Sequence, residues 1–174
     1  MKKIIGVLIL MLSLGNFASA QRYAYVDTQY ILDKVPEYNK AQEELNRLSE
    51  EWLKEVESLF SLVDQKRQEY EEEKILLPEE IKKTRLKEIS KLEAEAKELQ
   101  KQRFGVGGDL FMKREELIRP IQDQIFNAIQ SIASQRNFAF VFDKANQSNL
   151  LYADPKYDIS DQVLREMGIK IDNN

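Results

Sequence analysis

Ile75-Leu76-Leu77-Pro78-Glu79-Glu80 is the short stretch on which the fold turns, because it interrupts a charged, helix-favouring run that extends from Pro36 to Arg136. Before it, Leu45, Leu48, Trp52, Val56, Leu59, Val63 and Tyr70 recur at helical spacing; after it, Ile81, Ile89, Leu92, Ala96 and Leu99 do the same. A stripe this thin suits a coiled-coil seam better than the wide apolar face a globular core demands. Two such arms joined by so short a connection must fold back antiparallel. The sequence therefore predicts a long helical hairpin over residues 36–109, turning at 76–78.

The ends of the arms carry the matching signals. Pro36 suits the first position of a helix, where its missing N–H costs nothing, and Pro78 followed by Glu79 and Glu80 restarts one in the same way. From Glu37 to Ile75 there are six basic and twelve acidic residues; from Glu79 to Arg103 there are eight basic and six acidic. The opposite bias favours antiparallel pairing through flanking charges. Each exposed pair is worth only about 0.2–1 kcal/mol, so the apolar seam still decides.

Gly105-Val106-Gly107-Gly108 breaks the second arm. A phosphate-cradling loop would need Lys-Ser/Thr next, and Asp109-Leu110 stands there instead. Three glycines weaken a helix by about 1 kcal/mol each, so the stretch reads as a hinge or a local unwinding. From Leu110 the apolar face widens through Leu117, Ile118, Ile121, Ile125, Phe126, Ile129 and Ile132, as it should where a helix joins a packed body. Pro120 should kink that helix and Asn137 should stop it.

The two chain ends, residues 21–35 and 110–174, supply the body. Tyr23 to Asp27 reads as a strand, Thr28 to Val35 as a turn or two of helix with Tyr30, Ile31 and Val35 inward. Phe138, Phe140 and Phe142 alternate with Ala139 and Val141, the period of a second strand. Leu150 to Ala153 reads as a third, closed by Asp154-Pro155. Ser160 is placed to cap a last helix, with Ile159 and Leu164 as a hydrophobic staple and Gly168 as its end. The fold class is thus α+β, mainly α: a long antiparallel coiled-coil hairpin projecting from a small β-rich oligomerisation body. Three short strands with open edges are marginal alone, and the phenylalanine face needs a cover. Association of copies through Tyr25, Phe138, Phe140, Phe142 and Leu151 would supply both.

Composition narrows the function. The 174 residues contain no cysteine and no histidine, which removes thiol chemistry, disulfides and the commonest general base and metal ligand. A formal net charge of −4 argues against nucleic acid as the main partner. Asp and Glu are plentiful, but solvated helix faces account for them and nothing places a pair in a pocket, so no enzyme, cofactor or metal site is expected. Lys2 and Lys3, the apolar run Ile4 to Leu14 and Ala18-Ser19-Ala20 have the form of a cleavable secretory signal peptide over residues 1–20. The apolar run is about half the roughly 20 residues needed to span a bilayer. The mature chain would then work outside the cytoplasm.

Taken together, this leader, Tyr25-Val26-Asp27, the charged hairpin, Arg119-Pro120-Ile121-Gln122-Asp123, Phe138 to Asp143, Leu151-Tyr152-Ala153-Asp154-Pro155 and Asp158-Ile159-Ser160 resemble the Skp/OmpH family of periplasmic chaperones. The resemblance covers essentially the whole mature chain, and its C-terminal third is the specific part. It implies a homotrimer in the periplasm whose helical tentacles surround a cavity and hold unfolded outer-membrane β-barrel proteins without ATP. The client surface it implies is the inner face of the tentacles, with Leu76 and Leu77 at the tip and Tyr70, Phe60 and Phe104 along the arms. Simple packing of the turn explains the two leucines equally well. Well-known members of the family are basic, and the resemblance implies positive tentacles that help capture clients and anionic lipid. This chain is acidic and gathers cations only in Lys82-Lys83-Thr84-Arg85-Leu86-Lys87, whose plainer reading is a solvated face. A lipopolysaccharide or anionic-lipid contact would rest on that cluster alone. The alternative function is a structural coiled-coil protein of the envelope without chaperone activity.

Overall fold

The structure is a computed structural model that describes residues 22–145 and 150–171. The leader expected over residues 1–20 lies outside the described residues, as does most of the polar loop before Leu150. The described residues are mainly helical with one small sheet. In order come β1 (Arg22–Val26), α1 (Thr28–Lys34), α2 (Pro36–Glu73), α3 (Glu79–Phe104), α4 (Asp109–Arg136), β2 (Phe138–Asp143), a 3-10 turn (Pro155–Tyr157) and α5 (Ser160–Glu166). Packing divides the described residues into two compact units, one formed by those up to Lys34 and from Ile125 onward, the other by Val35–Gln124. The first half of α4 belongs to the second unit and its latter half to the first.

In the first unit β1 and β2 pair in parallel, with Tyr23 beside Phe140, Ala24 beside Val141 and Tyr25 beside Phe142. Because strand side chains alternate, Tyr23, Tyr25, Phe140 and Phe142 share one face, while Ala24 and Val26 point to the other and are buried. The core of this unit is Val26, Ile31, Ile159, Val163 and Leu164, with α1 packed on α5, and α4 buries Ile125, Ala128 and Ile132 along one stripe. Asp27 ends β1 and caps α1, its carboxylate accepting the Tyr30 N–H at 3.0 Å. Asn137 stops α4 as predicted, its φ of 55° in the left-handed region that asparagine tolerates.

Two expectations for this unit are corrected. Leu150 to Ala153 is not a strand: the sheet among the described residues has two strands. The reason lies in the ladder. The Lys144 N–H donates to the Val26 carbonyl at 2.7 Å, so the chain continues past the end of β1 instead of turning back along the free edge of β2. It next meets β1 on the opposite side, where Tyr25 bridges to Asp158 and its carbonyl accepts the Ile159 N–H at 3.0 Å. Ser160 does not cap α5 with its side chain either; it is the first helical residue, after Ile159. The Asp158 carboxylate takes the Ser160 N–H instead, at 2.8 Å. The other end of α5 closes as the sequence indicates, on Gly168 at φ 79°, with Ile169 N–H bonded to Leu164 O and Gly168 N–H to Arg165 O.

In the second unit α2 and α3 pack on one another as an antiparallel pair. The buried positions are Ala41, Leu45, Val56 and Val63 on α2 and Ile89 and Ala96 on α3. Val56 and Val63, like Ile89 and Ala96, are one heptad apart, the repeat of a two-helix seam. Arg67 meets Glu93 at 2.9 Å and Arg103 meets Glu55 at 3.0 Å. That register brings Val63 opposite Ala96, where the small alanine lets the helices approach. The other ion pairs of α2 and α3 run three or four residues along one helix and support each arm singly, so the opposite charge bias contributes less across the pair than along it. The connection is wider than Leu76-Leu77-Pro78: α2 ends at Glu73, and Pro78 is the extended residue before α3, at ψ 149°, not its first turn.

Candidate functional site

Exposed apolar surface is the feature from which function has to be read. In the hairpin unit it gathers at two places, the turn and the glycine break, where Val106, Phe111 and Met112 are exposed. The Leu76 N–H donates to the Glu73 carbonyl at 2.9 Å, which closes the turn on backbone and leaves the side chains free. Ile75 and Leu76 are 85% and 87% exposed, Leu77 is half-buried, and Ile81 and Leu86 continue apolar surface onto α3. Around them Lys74, Lys82 and Lys83 are each tied to the glutamate three residues before, to Glu71, Glu79 and Glu80. Two of the four cations of the 82–87 cluster, Lys82 and Lys83, are thus paired where they stand.

The other residues assigned to client contact are not gathered there. Tyr70 falls one heptad after Val63, so the seam register sets it opposite Ile89, half-buried. Phe60 is half-buried on α2, and Phe104 is the last residue of α3, beside the glycine break.

In the first unit the apolar surface lies on the aromatic face of the sheet and, apart from it, at the exposed Phe126 of α4. Phe140 and Phe142 are 59% and 46% exposed, with ring centroids 6.3 Å apart, while Phe138 is half-buried with the Arg22 guanidinium 5.6 Å over its ring. Leu151 is 95% exposed on the segment that crosses this face, and Tyr152 beside it is also exposed. Of the five residues assigned to assembly Tyr25 alone is buried; burial first, then the neighbouring Asp158 carboxylate, raises its phenol above the usual pKa. Tyr23 and Tyr157 pack at 5.4 Å around a shallow recess that Tyr25, Phe142 and Tyr152 also line. So large an aromatic patch on so small a unit is what an interaction surface looks like.

A third place was not visible in the sequence. Arg103, in the last turn of α3, hydrogen-bonds Glu55 on α2 at 3.0 Å and Asp109, the first residue of α4, at 2.6 Å. Its guanidinium also lies 5.0 Å over the Trp52 ring. The Asp109 bond leads in holding the guanidinium above its ordinary pKa. The one available signal was local: a cation ending one helix and an acid starting the next, each at the end its dipole favours. Among the described residues no group of three or more acids could hold a metal ion, and no helix is long and apolar enough to cross a membrane.

Residues 22–167 match the family described as Outer membrane protein (OmpH-like). A crystal structure from Caulobacter crescentus, described as a candidate outer membrane chaperone (OmpH-like), superposes with a TM-score of 0.69 at 10% identity, covering 90% of this chain and 89% of its own. At that identity the likeness is one of fold. No curated protein matches the chain in sequence.

Proposed function

We propose, from the premise that this chain belongs to the OmpH-like outer membrane protein family, that it is a periplasmic holdase chaperone. It binds unfolded outer-membrane β-barrel proteins and keeps them from aggregating in transit, without ATP and without catalysing a reaction. The observation that carries the reading is the apolar turn of the hairpin, with Ile75 and Leu76 almost fully exposed between two charged, well-solvated helices. An unfolded barrel strand alternates apolar and polar residues and aggregates through the apolar ones when left in water. Many weak contacts to such strands slow aggregation and still allow release, because none is strong enough to trap the client. Leu76, Leu77, Tyr70, Phe60 and Phe104 make those contacts. The aromatic face of the sheet, with Phe138, Phe140, Phe142 and Leu151 around Tyr25, is closed by other copies of the chain in a homotrimer. The leader over residues 1–20 sends it to the periplasm and is removed.

Native mass spectrometry of the mature chain tests this, alone and after a urea-unfolded outer-membrane barrel is diluted into it. A trimer that takes up one barrel chain and keeps it soluble supports the holdase. A trimer that ignores the barrel supports a structural coiled-coil protein of the envelope. A stable monomer removes the assembly from the reading.

A further inference from the structure

The arm that returns from the turn is broken at Gly105–Gly108, yet it keeps its register against α2. Arg67 lies opposite Glu93 and Glu55 opposite Arg103, and the Lys113 charge, on α4, acts on the Glu44 carboxylate. Each step down α2 is matched by a step of nearly equal length along the returning chain, through the break and on into α4. The Gly108 N–H closes the loop on the Gly105 carbonyl at 2.9 Å, but the tip of the loop does nothing to enforce this register. Val106 is fully exposed, and a Cβ on Gly107, at φ 71°, would meet nothing within 4 Å. Besides that backbone closure, one side chain among the described residues spans the break. Arg103 holds Glu55 on one side and Asp109 on the other, over Trp52.

We infer that Arg103 is a releasable latch: while its guanidinium bridges Glu55 and Asp109 the last turns of α3 stay seated on α2, and when it lets go they lift about the glycine break. The direction of opening follows from the backbone. α2 is one helix from Pro36 to Glu73 with no glycine or proline inside it, so the broken arm is the one that moves. Only Ile89 and Ala96 of α3 are buried, so little apolar contact resists the lift near its end. Trp52, Glu55 and Val56 lie three and four residues apart on one face of α2, so the lift uncovers the buried Val56 and the ring of Trp52. The latch is ionic and partly open to solvent, which makes it sensitive to salt. It stands whether or not the chain is a chaperone.

Trp52 is the single tryptophan of the chain and reports on the latch directly. In the full-length mature protein, Arg103→Gln should make Trp52 severalfold more accessible to acrylamide. It should also speed amide exchange in the last turn of α3 by on the order of tenfold. Exchange near Tyr70 and Ile89 should stay unchanged. About 1 M salt, where the Debye length is about 3 Å, should shift the unsubstituted protein the same way and add little to Arg103→Gln. Arg103→Lys, which keeps the charge but loses the fork, should fall between the two. Unchanged quenching and exchange in Arg103→Gln would overturn the latch. So would faster exchange along the whole of α3, since that is unfolding of the hairpin and not release at one end.

Discussion

The hydroxyl of Ser160 accepts a hydrogen bond from the backbone N–H of Asp27 at 2.8 Å, across 133 residues of sequence. The same hydroxyl donates to the Asp158 carboxylate at 2.6 Å. Ser160 is the buried polar residue of the described core, 3% exposed, and through it the end of β1 is fixed to the start of α5. Replacing it with alanine leaves the Asp27 N–H without its acceptor in a place water reaches poorly. Ser160→Ala should lower stability by about 1–3 kcal/mol. Urea unfolding at fixed protein concentration measures this; an unchanged midpoint would show that water substitutes for the hydroxyl.

Ala96 is fully buried in the hairpin seam opposite Val63. Ala96→Leu puts three extra carbons where two helices approach closely, and overpacking of this kind costs about 1–3 kcal/mol. Ser90→Leu, at an exposed position on the same helix, is the control and should change thermal stability little. Loss of helix signal on heating, followed by far-ultraviolet circular dichroism, distinguishes the two.

Gly105 is needed for a different reason from Gly107. A Cβ there would sit 2.3 Å from the Lys101 carbonyl oxygen, a backbone atom that cannot rotate away. Gly105→Ala should therefore shift the break itself, seen as faster amide exchange at Gly108 and Met112, whose N–H groups bond back to the carbonyls of Gly105 and Gly108. Gly107→Ala has room but a left-handed backbone, and should cost about 1 kcal/mol.

Leu76→Ser with Leu77→Ser tests the turn as client surface. The turn is closed by backbone, so the double variant should keep its helix content and its assembly state. Light scattering of a diluted, unfolded barrel should then rise sooner than with the unsubstituted chain. Equal protection would move the client surface away from the turn.

The pH dependence has a sign on each side. Hydrogen bonds from Arg47, Lys66 and Lys97 hold the carboxyls of Glu44, Glu69 and Glu93 below the ordinary 4.5. A pKa lowered by folding gives stability that is present above the unfolded value and lost as pH falls through the folded one. Helix signal should thus hold from neutrality down to 4.5 and decline below it, less steeply in high salt. Tyr25 is the opposite case, its phenol raised by burial above 10.0. Its stabilisation is present below that value and lost as pH rises through the higher folded one. Tyr30, raised chiefly by its hydrogen bond to Asp161, titrates late as well, so tyrosinate absorbance should show a late step above 10.0 that Tyr25→Phe diminishes.

Residue patterning made most of the secondary structure legible. A heptad stripe has one folded solution, Pro36 and Asn137 mark ends by their own backbone preferences, and Gly105 to Gly108 cannot continue a helix. Leu150 to Ala153 misled because β propensity describes a residue that fits a sheet, and does not say whether an edge is within reach. The chain was already committed by the bond from Lys144 to Val26, which no local pattern encodes. Ser160 misled for the same reason: its hydroxyl was a plausible local cap, and a partner far away in sequence, the Asp27 N–H, took it.

By itself, then, the sequence determined the helices, their antiparallel return, the break and the family, because these follow from short-range spacing and from residues that restrict their own backbone. The tertiary structure decided the two-stranded parallel sheet, the exposure of Phe140, Phe142 and Leu76, and the meeting of Arg103 with Glu55 and Asp109. Each of these depends on which groups water can still reach once distant segments have packed, and spacing along one chain does not contain that information.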